Sequence, residues 1–173
     1  VYSTKNFIMN ISRESEVNLI NILIDQDVIS GKDYIDIKKK STEGQKSQLD
    51  AIFELNLTNE DKIRDILVSE QSLNIIDLST IDVADEVKSV LPSNYINMNF
   101  IAPFKVENKV LHIAIPDSSK LSLMRNLKTI TKMDIELHAA KISNISVFID
   151  KLLKEVETTI ETMQKKNKEK ITN

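Results

Sequence analysis

The chain has 173 residues, of which 41% are hydrophobic and 28% are charged, as in an ordinary globular protein. Its net charge of -3 gives no electrostatic reason to expect nucleic acid or an anionic membrane as a partner. The absence of cysteine excludes disulfides, thiolate metal sites and cysteine nucleophiles. Because no apolar run approaches the ~20 residues of a membrane helix, we expect a cytoplasmic chain without direct membrane insertion.

The first half of the sequence predicts a helical lobe. Residues 1–13 have no clear periodicity, and we expect a flexible lead-in there. In residues 14–71, four helices are predicted: at about 14–26, from Lys32 onwards, at about 47–55 and at 59–71. Ser30 is the predicted N-cap of the second helix, and Asp33 completes a capping box there. A polar linker is predicted at 41–45, between the second and third helices. The pattern repeats after 29 residues, from Leu23 to Ile52, so the lobe consists of two helix-turn-helix units.

Residues 72–153 predict a small three-stranded α/β lobe. A short helix is predicted at 83–91, followed by a hairpin with strands at 96–105 and 109–115. Pro103 marks the first of these strands as an edge strand or as the site of a bulge. Asp117 then precedes an amphipathic helix, and the alternation from Ile135 to Ala139 predicts the next strand.

The last helix is predicted to begin near Ser143 and to continue past Leu153. Residues 154–173 are expected to form a charged helical linker to a domain outside this chain. Apolar residues spaced by three and four from Ile142 to Met163 are also compatible with a coiled-coil seam, which leaves self-association as an alternative. The predicted fold class is α+β: a helical repeat lobe, a small α/β lobe and a long C-terminal helix.

Three segments of the second half carry a family resemblance: Ala114-Ile115-Pro116-Asp117, residues 127–132, and residues 135–140. They resemble the N-terminal domain of the assembly ATPases of type II secretion systems and type IV pili. The family's Asp-Pro order is inverted here, and Lys132 replaces a glycine. The resemblance implies a docking or regulatory domain that binds the cytoplasmic part of an inner-membrane platform protein and other domains of the same ATPase. It also implies a location peripheral to the inner membrane.

The helical repeat resembles one branch of that family, the MshEN domain, whose tandem repeats bind cyclic di-GMP. The family's Arg-Leu-Gly positions fall on Asn18-Leu19-Ile20 and on residues 47–49, and its turn glycines fall on Asp27 and Asn56. Both arginines are absent, so no cofactor is expected. If the chain retains a cyclic di-GMP site, the resemblance implies that these residues line it: Asn18, Leu19, Leu23, Ile24, Ser47, Gln48, Ile52 and Phe53.

We find no catalytic pattern in the sequence. Its two glycines, Gly31 and Gly44, form no phosphate-binding loop, so we expect that any ATPase engine lies outside this chain. His112 and His138 fall on the strand faces opposite the apolar residues, and neither belongs to a zinc-binding spacing. We therefore expect no catalytic residue and no metal site. The alternatives to a docking domain are a cyclic di-GMP sensor and a self-associating scaffold.

Overall fold

The computed structural model describes residues 11–172, so most of the expected lead-in lies outside the described residues. The helical lobe contains α1 (Arg13–Asp25), α2 (Gly31–Gly44), α3 (Gln48–Glu54) and α4 (Glu60–Gln71). A side-chain oxygen caps each helix, from Ser12, Ser30, Ser47 and Asn59 respectively. The predicted capping box of Ser30 and Asp33 is confirmed. These caps satisfy backbone N–H groups that would otherwise have no partner at the helix starts.

The predicted polar linker at 41–45 is wrong, because α2 continues through Gly44. Ile37 is the buried residue of this helix, and the polar residues after it lie on a solvent face without any proline to stop them. The helix ends only where Gln45 takes the left-handed conformation, with φ 49°. Polarity alone therefore did not indicate a helix end.

The two turns of the repeat have the backbone geometry that the family's glycines would supply. Asp27 and Asn56 follow α1 and α3 with φ values of 56° and 55°. Aspartate and asparagine are among the residues that tolerate this left-handed region best. The backbone of the turn is therefore retained although the glycines are not.

The second lobe contains a sheet in the order β1-β4-β3-β2, formed by β1 (Asn74–Ile75), β2 (Ala102–Glu107), β3 (Val110–Ile115) and β4 (Asp134–Ala139). The hairpin β2–β3 is antiparallel, whereas β4 is parallel to both β3 and β1. The expected three strands thus become four among the described residues. A strand of two residues such as β1 is too short to produce an alternating pattern. As predicted from Pro103, β2 is an edge strand whose register shifts between Pro103 and Lys105.

Two predictions around the start of the hairpin need correction. The helix expected at 83–91 is only a 3-10 turn at Asp85–Val87, and the beginning of the strand expected at 96–105 is instead α5 (Ser93–Asn99), so that only the end of that segment belongs to β2. Pro92 precedes α5, where its fixed φ and missing N–H suit a helix start. Phe100 ends the helix in the left-handed conformation, and it buries its ring at the same time.

The sheet carries one strongly apolar face. Leu111, Ile113 and Ile115 of β3 are fully buried, and a 3-10 turn at Ser118–Leu123 leads into α6 (Met124–Thr131). The last helix, α7 (Ile142–Thr172), begins one residue before the predicted start and packs Ile145, Ile149 and Leu152 into the core. Of the described helices, none combines the length and apolarity that a membrane span requires.

Candidate functional site

The eight residues implied by the cyclic di-GMP resemblance divide into two groups of different exposure. The side chains of Leu19, Leu23, Ile52 and Phe53 are buried in the hydrophobic core. Asn18, Ser47 and Gln48 are half-buried, and Ile24 is exposed. The buried group holds α1 and α3 together, as any two packed helices require. Leu19 and Leu23 of the buried group also line a small cleft beside Asp117 and Ser118.

Asn18, at the position of the first family arginine, joins the two lobes. Its side-chain amide donates to Oδ1 of Asp117 at 3.0 Å and contacts the hydroxyl of Ser118 at 3.1 Å. Asp117 is only 1% exposed, and its Oδ1 also accepts the backbone N–H of Ser119. Because a buried carboxylate is costly without such donors, Asn18 has a structural task at this position.

A second contact supports the same junction. Lys120 is almost completely buried, and its Nζ donates to Oγ of Ser12 at 3.0 Å. Burial lowers the pKa of Lys120, while the nearby carboxylates of Asp117 and Glu14 act against that shift. The ammonium group thus offsets charge inside the junction and is not presented to solvent.

The second motif position lies at the N-terminus of α3, where free backbone N–H groups favour an anion. The carboxylate of Glu16 lies beside this position, where the backbone N–H groups of Gln48 and Leu49 favour its charged form. Ser47 caps the same helix by accepting the N–H of Asp50 at 3.0 Å. Burial raises the pKa of Glu16 and of Asp50 despite these hydrogen bonds. An internal carboxylate therefore lies at the end of α3 that favours an anion.

A different cluster lies on the polar face of the sheet. His112 of β3 pairs in register with Glu136 of β4, and Ala114 pairs with His138, so the three polar side chains share one face. Nδ1 of His112 is 2.9 Å from Nε2 of His138. The carboxylate oxygens of Glu136 lie 3.7 Å from each of these nitrogens. The predicted placement of both histidines opposite the apolar face is confirmed.

The sequence analysis missed this cluster because it searched for donors within one segment. Glu136 and His138 are two residues apart, but His112 comes from the neighbouring strand. The sequence did offer one signal: Glu136 and His138 are spaced i, i+2 on one predicted strand, and His112 lies on the predicted strand before it. Only the parallel register, which no local spacing encodes, brings the third group into place.

Comparisons with known proteins agree with this architecture. The model of the MshEN domain family matches residues 71–159, which is just over half of the chain. A structure of MshE with cdg is 18% identical, with a TM-score of 0.54, and the match covers 78% of this chain and 97% of that one. A structure of the N-terminal domain of XpsE is 15% identical, with a TM-score of 0.55, and the match covers 79% and 94%. No curated protein matches significantly.

The matched region contains the whole sheet, α5, α6 and the first half of α7. It therefore includes the three segments on which the sequence resemblance was based, and both structural likenesses extend over most of the chain with the same fold. The chain belongs to the MshEN domain family, the kind of domain found at the N-terminus of secretion and pilus assembly ATPases.

Proposed function

We propose that this domain is a non-catalytic docking domain that binds the cytoplasmic part of an inner-membrane platform protein. The supporting observation is an apolar groove on the α/β lobe, within the region that the family model matches. Its floor contains Leu78 and Phe148, which are buried, and its rim is formed by Ile81 and by Val147, whose residue surface is 64% exposed.

Exposed apolar surface with a polar border is typical of protein interaction sites. Here the border is provided by Ser79, Asn144 and Lys151. Lys151 pairs with Asp82 at 3.3 Å, so the border has charges of both signs and no net preference for an anionic surface. A protein partner with its own apolar side chain fits this groove better than a nucleic acid or a lipid headgroup does.

Binding to the platform protein can be tested with a matched pair of substitutions. Val147→Asp places a charge in the groove, whereas Val17→Asp places the same charge on α1, where Val17 is 50% exposed. We expect the isolated cytoplasmic part of the platform protein to bind the wild-type chain, and V147D to weaken that binding at least ~10-fold, equivalent to about 1.4 kcal/mol. V17D should bind as the wild type does.

The proposal fails if the wild-type chain does not bind the platform protein in calorimetry, or if both variants weaken binding equally. Circular dichroism of the two variants establishes that each remains folded. Since both positions lie on helices and both side chains point largely to solvent, the cost to folding should be similar.

A cyclic di-GMP sensor is the second candidate, favoured by the left-handed turns at Asp27 and Asn56 and by the related MshE structure with cdg. The occupied N-terminus of α3 argues for the docking function instead. We therefore expect no saturable heat when cyclic di-GMP is titrated into the chain. Micromolar or tighter binding, about -8 kcal/mol, would establish the sensor.

Glu16→Gln refines this titration. If the ligand competes with the Glu16 carboxylate for the N–H groups of Gln48 and Leu49, removal of that charge should tighten binding. If neither E16Q nor the wild type binds cyclic di-GMP, the helical lobe has a structural role only.

A further inference from the structure

Three side chains on the polar face of the sheet have the chemistry of metal ligands. Two imidazole nitrogens and a carboxylate from His112, His138 and Glu136 converge within 4.8 Å of one another. Nitrogen and oxygen donors of this kind bind Zn²⁺ and related divalent transition cations. All three residues lie within the region that the family model matches.

The spacing of the donors fits one small cation. In a tetrahedral zinc site with metal–nitrogen bonds of ~2.0–2.1 Å, neighbouring donor atoms are separated by about 3.3 Å. The two imidazole nitrogens are 2.9 Å apart, Oε2 of Glu136 lies 3.7 Å from Nδ1 of His112, and Oε1 of Glu136 lies 3.7 Å from Nε2 of His138. These distances lie on either side of the ideal value, so binding requires rotation of the side chains to bring both nitrogens and one carboxylate oxygen around a common centre.

The protein holds the donors in place before a cation arrives. His112 and Glu136 are directly paired across β3 and β4, so the backbone ladder fixes two of the three ligands. The ring of Phe104 packs edge-on against His138 with a centroid distance of 5.1 Å. This apolar wall restricts the ring of His138, and such support around a ligand improves metal affinity.

The charges around the cluster also suit a cation. Lys105 is the nearby positive group, but its ammonium is paired with Glu107 at 2.7 Å. Glu136 is half-exposed and so provides a route from solvent to the buried nitrogens.

We propose that His112, His138 and Glu136 bind a single divalent transition cation, with Zn²⁺ as the best match. The three protein ligands leave a fourth coordination position for water. The cation links β3 to β4 on the face opposite the apolar core, and it therefore stabilises the α/β lobe.

The test is a titration of Zn²⁺ into the untagged chain, followed by calorimetry and by the chemical shifts of both imidazoles. We expect one cation per chain, binding at micromolar or lower concentration, and a melting temperature that rises with Zn²⁺. Co²⁺ should give the visible absorption of a four-coordinate nitrogen and oxygen site. His112→Gln should remove binding, and Glu136→Gln should weaken it at least ~10-fold.

Asp134→Asn is the matched control, since Asp134 lies on the same face of β4, two residues before Glu136, and its exposed carboxylate is outside the cluster. D134N should change the affinity less than about threefold, because it removes a charge without removing a ligand. The proposal is overturned if the wild-type chain binds no Zn²⁺ at ~1 mM. It is equally overturned if D134N and E136Q have the same effect.

Discussion

The carboxylate of Glu60, at the start of α4, holds the first turn of α7 through Ser143. Its Oε1 accepts the backbone N–H of Ser143 at 2.6 Å, and its Oε2 accepts the hydroxyl of the same residue at 2.9 Å. A negative charge at this place also complements the positive end of the α7 dipole. The helical lobe thus provides a cap for the long helix of the other lobe.

Replacing Glu60 by glutamine should lower the free energy of unfolding by about 1–2 kcal/mol, because a charge-assisted cap becomes a neutral one. Asp61→Asn is the control: Asp61 is also in the first turn of α4, but its carboxylate is exposed and forms ion pairs with Lys141 and Arg64. Such pairs contribute about 0–1 kcal/mol. Urea unfolding of both variants measures the difference, and an equal loss would refute the capping role.

Lys132 stands after α6 where the family has a glycine, and restoring that glycine should stabilise the protein. Its φ of 57° places a residue with a Cβ in the left-handed region. Lys132→Gly should raise the free energy of unfolding by about 0.5–1 kcal/mol, the relief of the left-handed strain less the added entropy of the unfolded chain. Lys128→Gly, inside α6, should instead cost about 1 kcal/mol. Thermal unfolding measures the melting temperature of both variants, and a shift of both in the same direction would contradict this account.

The raised pKa values of Glu16 and Asp50 predict an unusual pH dependence. Burial raises both values, so these two groups bind more protons in the folded chain than in the unfolded chain just above the ordinary carboxyl range, and their contribution to stability falls as pH rises through that window. The double variant E16Q/D50N should match the wild type near pH ~4 and become the more stable protein towards pH ~7. Urea unfolding across this range measures the difference.

Glu54→Gln is the control of opposite sign. Lys46 lowers the pKa of Glu54 through a hydrogen bond, so this carboxylate contributes stability above its ordinary range, and that contribution is lost on acidification. E54Q should therefore be less stable than the wild type at neutral pH and approach it in acid. A constant difference across the range, for either variant, would argue against the pKa shifts.

Truncation after Glu157 tests whether α7 forms a scaffold. From Glu157 to Ile171 every described side chain is exposed, whereas Leu152 is fully buried. We expect the shortened chain to keep the oligomeric state of the full chain in light scattering and to lose no more than ~0.5 kcal/mol of stability. Leu152→Ala should cost about 2–5 kcal/mol. A smaller oligomer after truncation would support a coiled coil through Ile160 and Met163.

Where apolar periodicity and capping residues agreed, the sequence was sufficient to predict the fold. All four helices of the first lobe, β3, β4 and the start of α7 lie within a few residues of their predicted bounds. The failures occur where the pattern was short or misleading: β1 has only two residues, and the apolar residues of α5 had been read as a strand. Burial by the rest of the chain decided those segments.

The candidate sites were harder to predict than the fold. The absence of the family arginines indicated that the cyclic di-GMP motif positions had changed. Only the structure shows Glu16 at the N-terminus of α3 and the hydrogen bond from Asn18 to Asp117. Those partners are separated by tens of residues and depend on how the helices pack. The cluster of His112, Glu136 and His138 likewise depends on strand register.

The length of α7 has a mechanical consequence. Its 31 residues are continuous from Ile142, next to the Ser143 N–H that Glu60 accepts, to Thr172. At 1.5 Å per residue, the exposed part is a stiff arm of roughly 20 Å or more. Because Ile145, Ile149 and Leu152 anchor the first part of α7 in the core, any tilt of the α/β lobe is converted into a larger sideways displacement at the far end. In addition, each residue inserted into the arm rotates whatever it carries by about 100°.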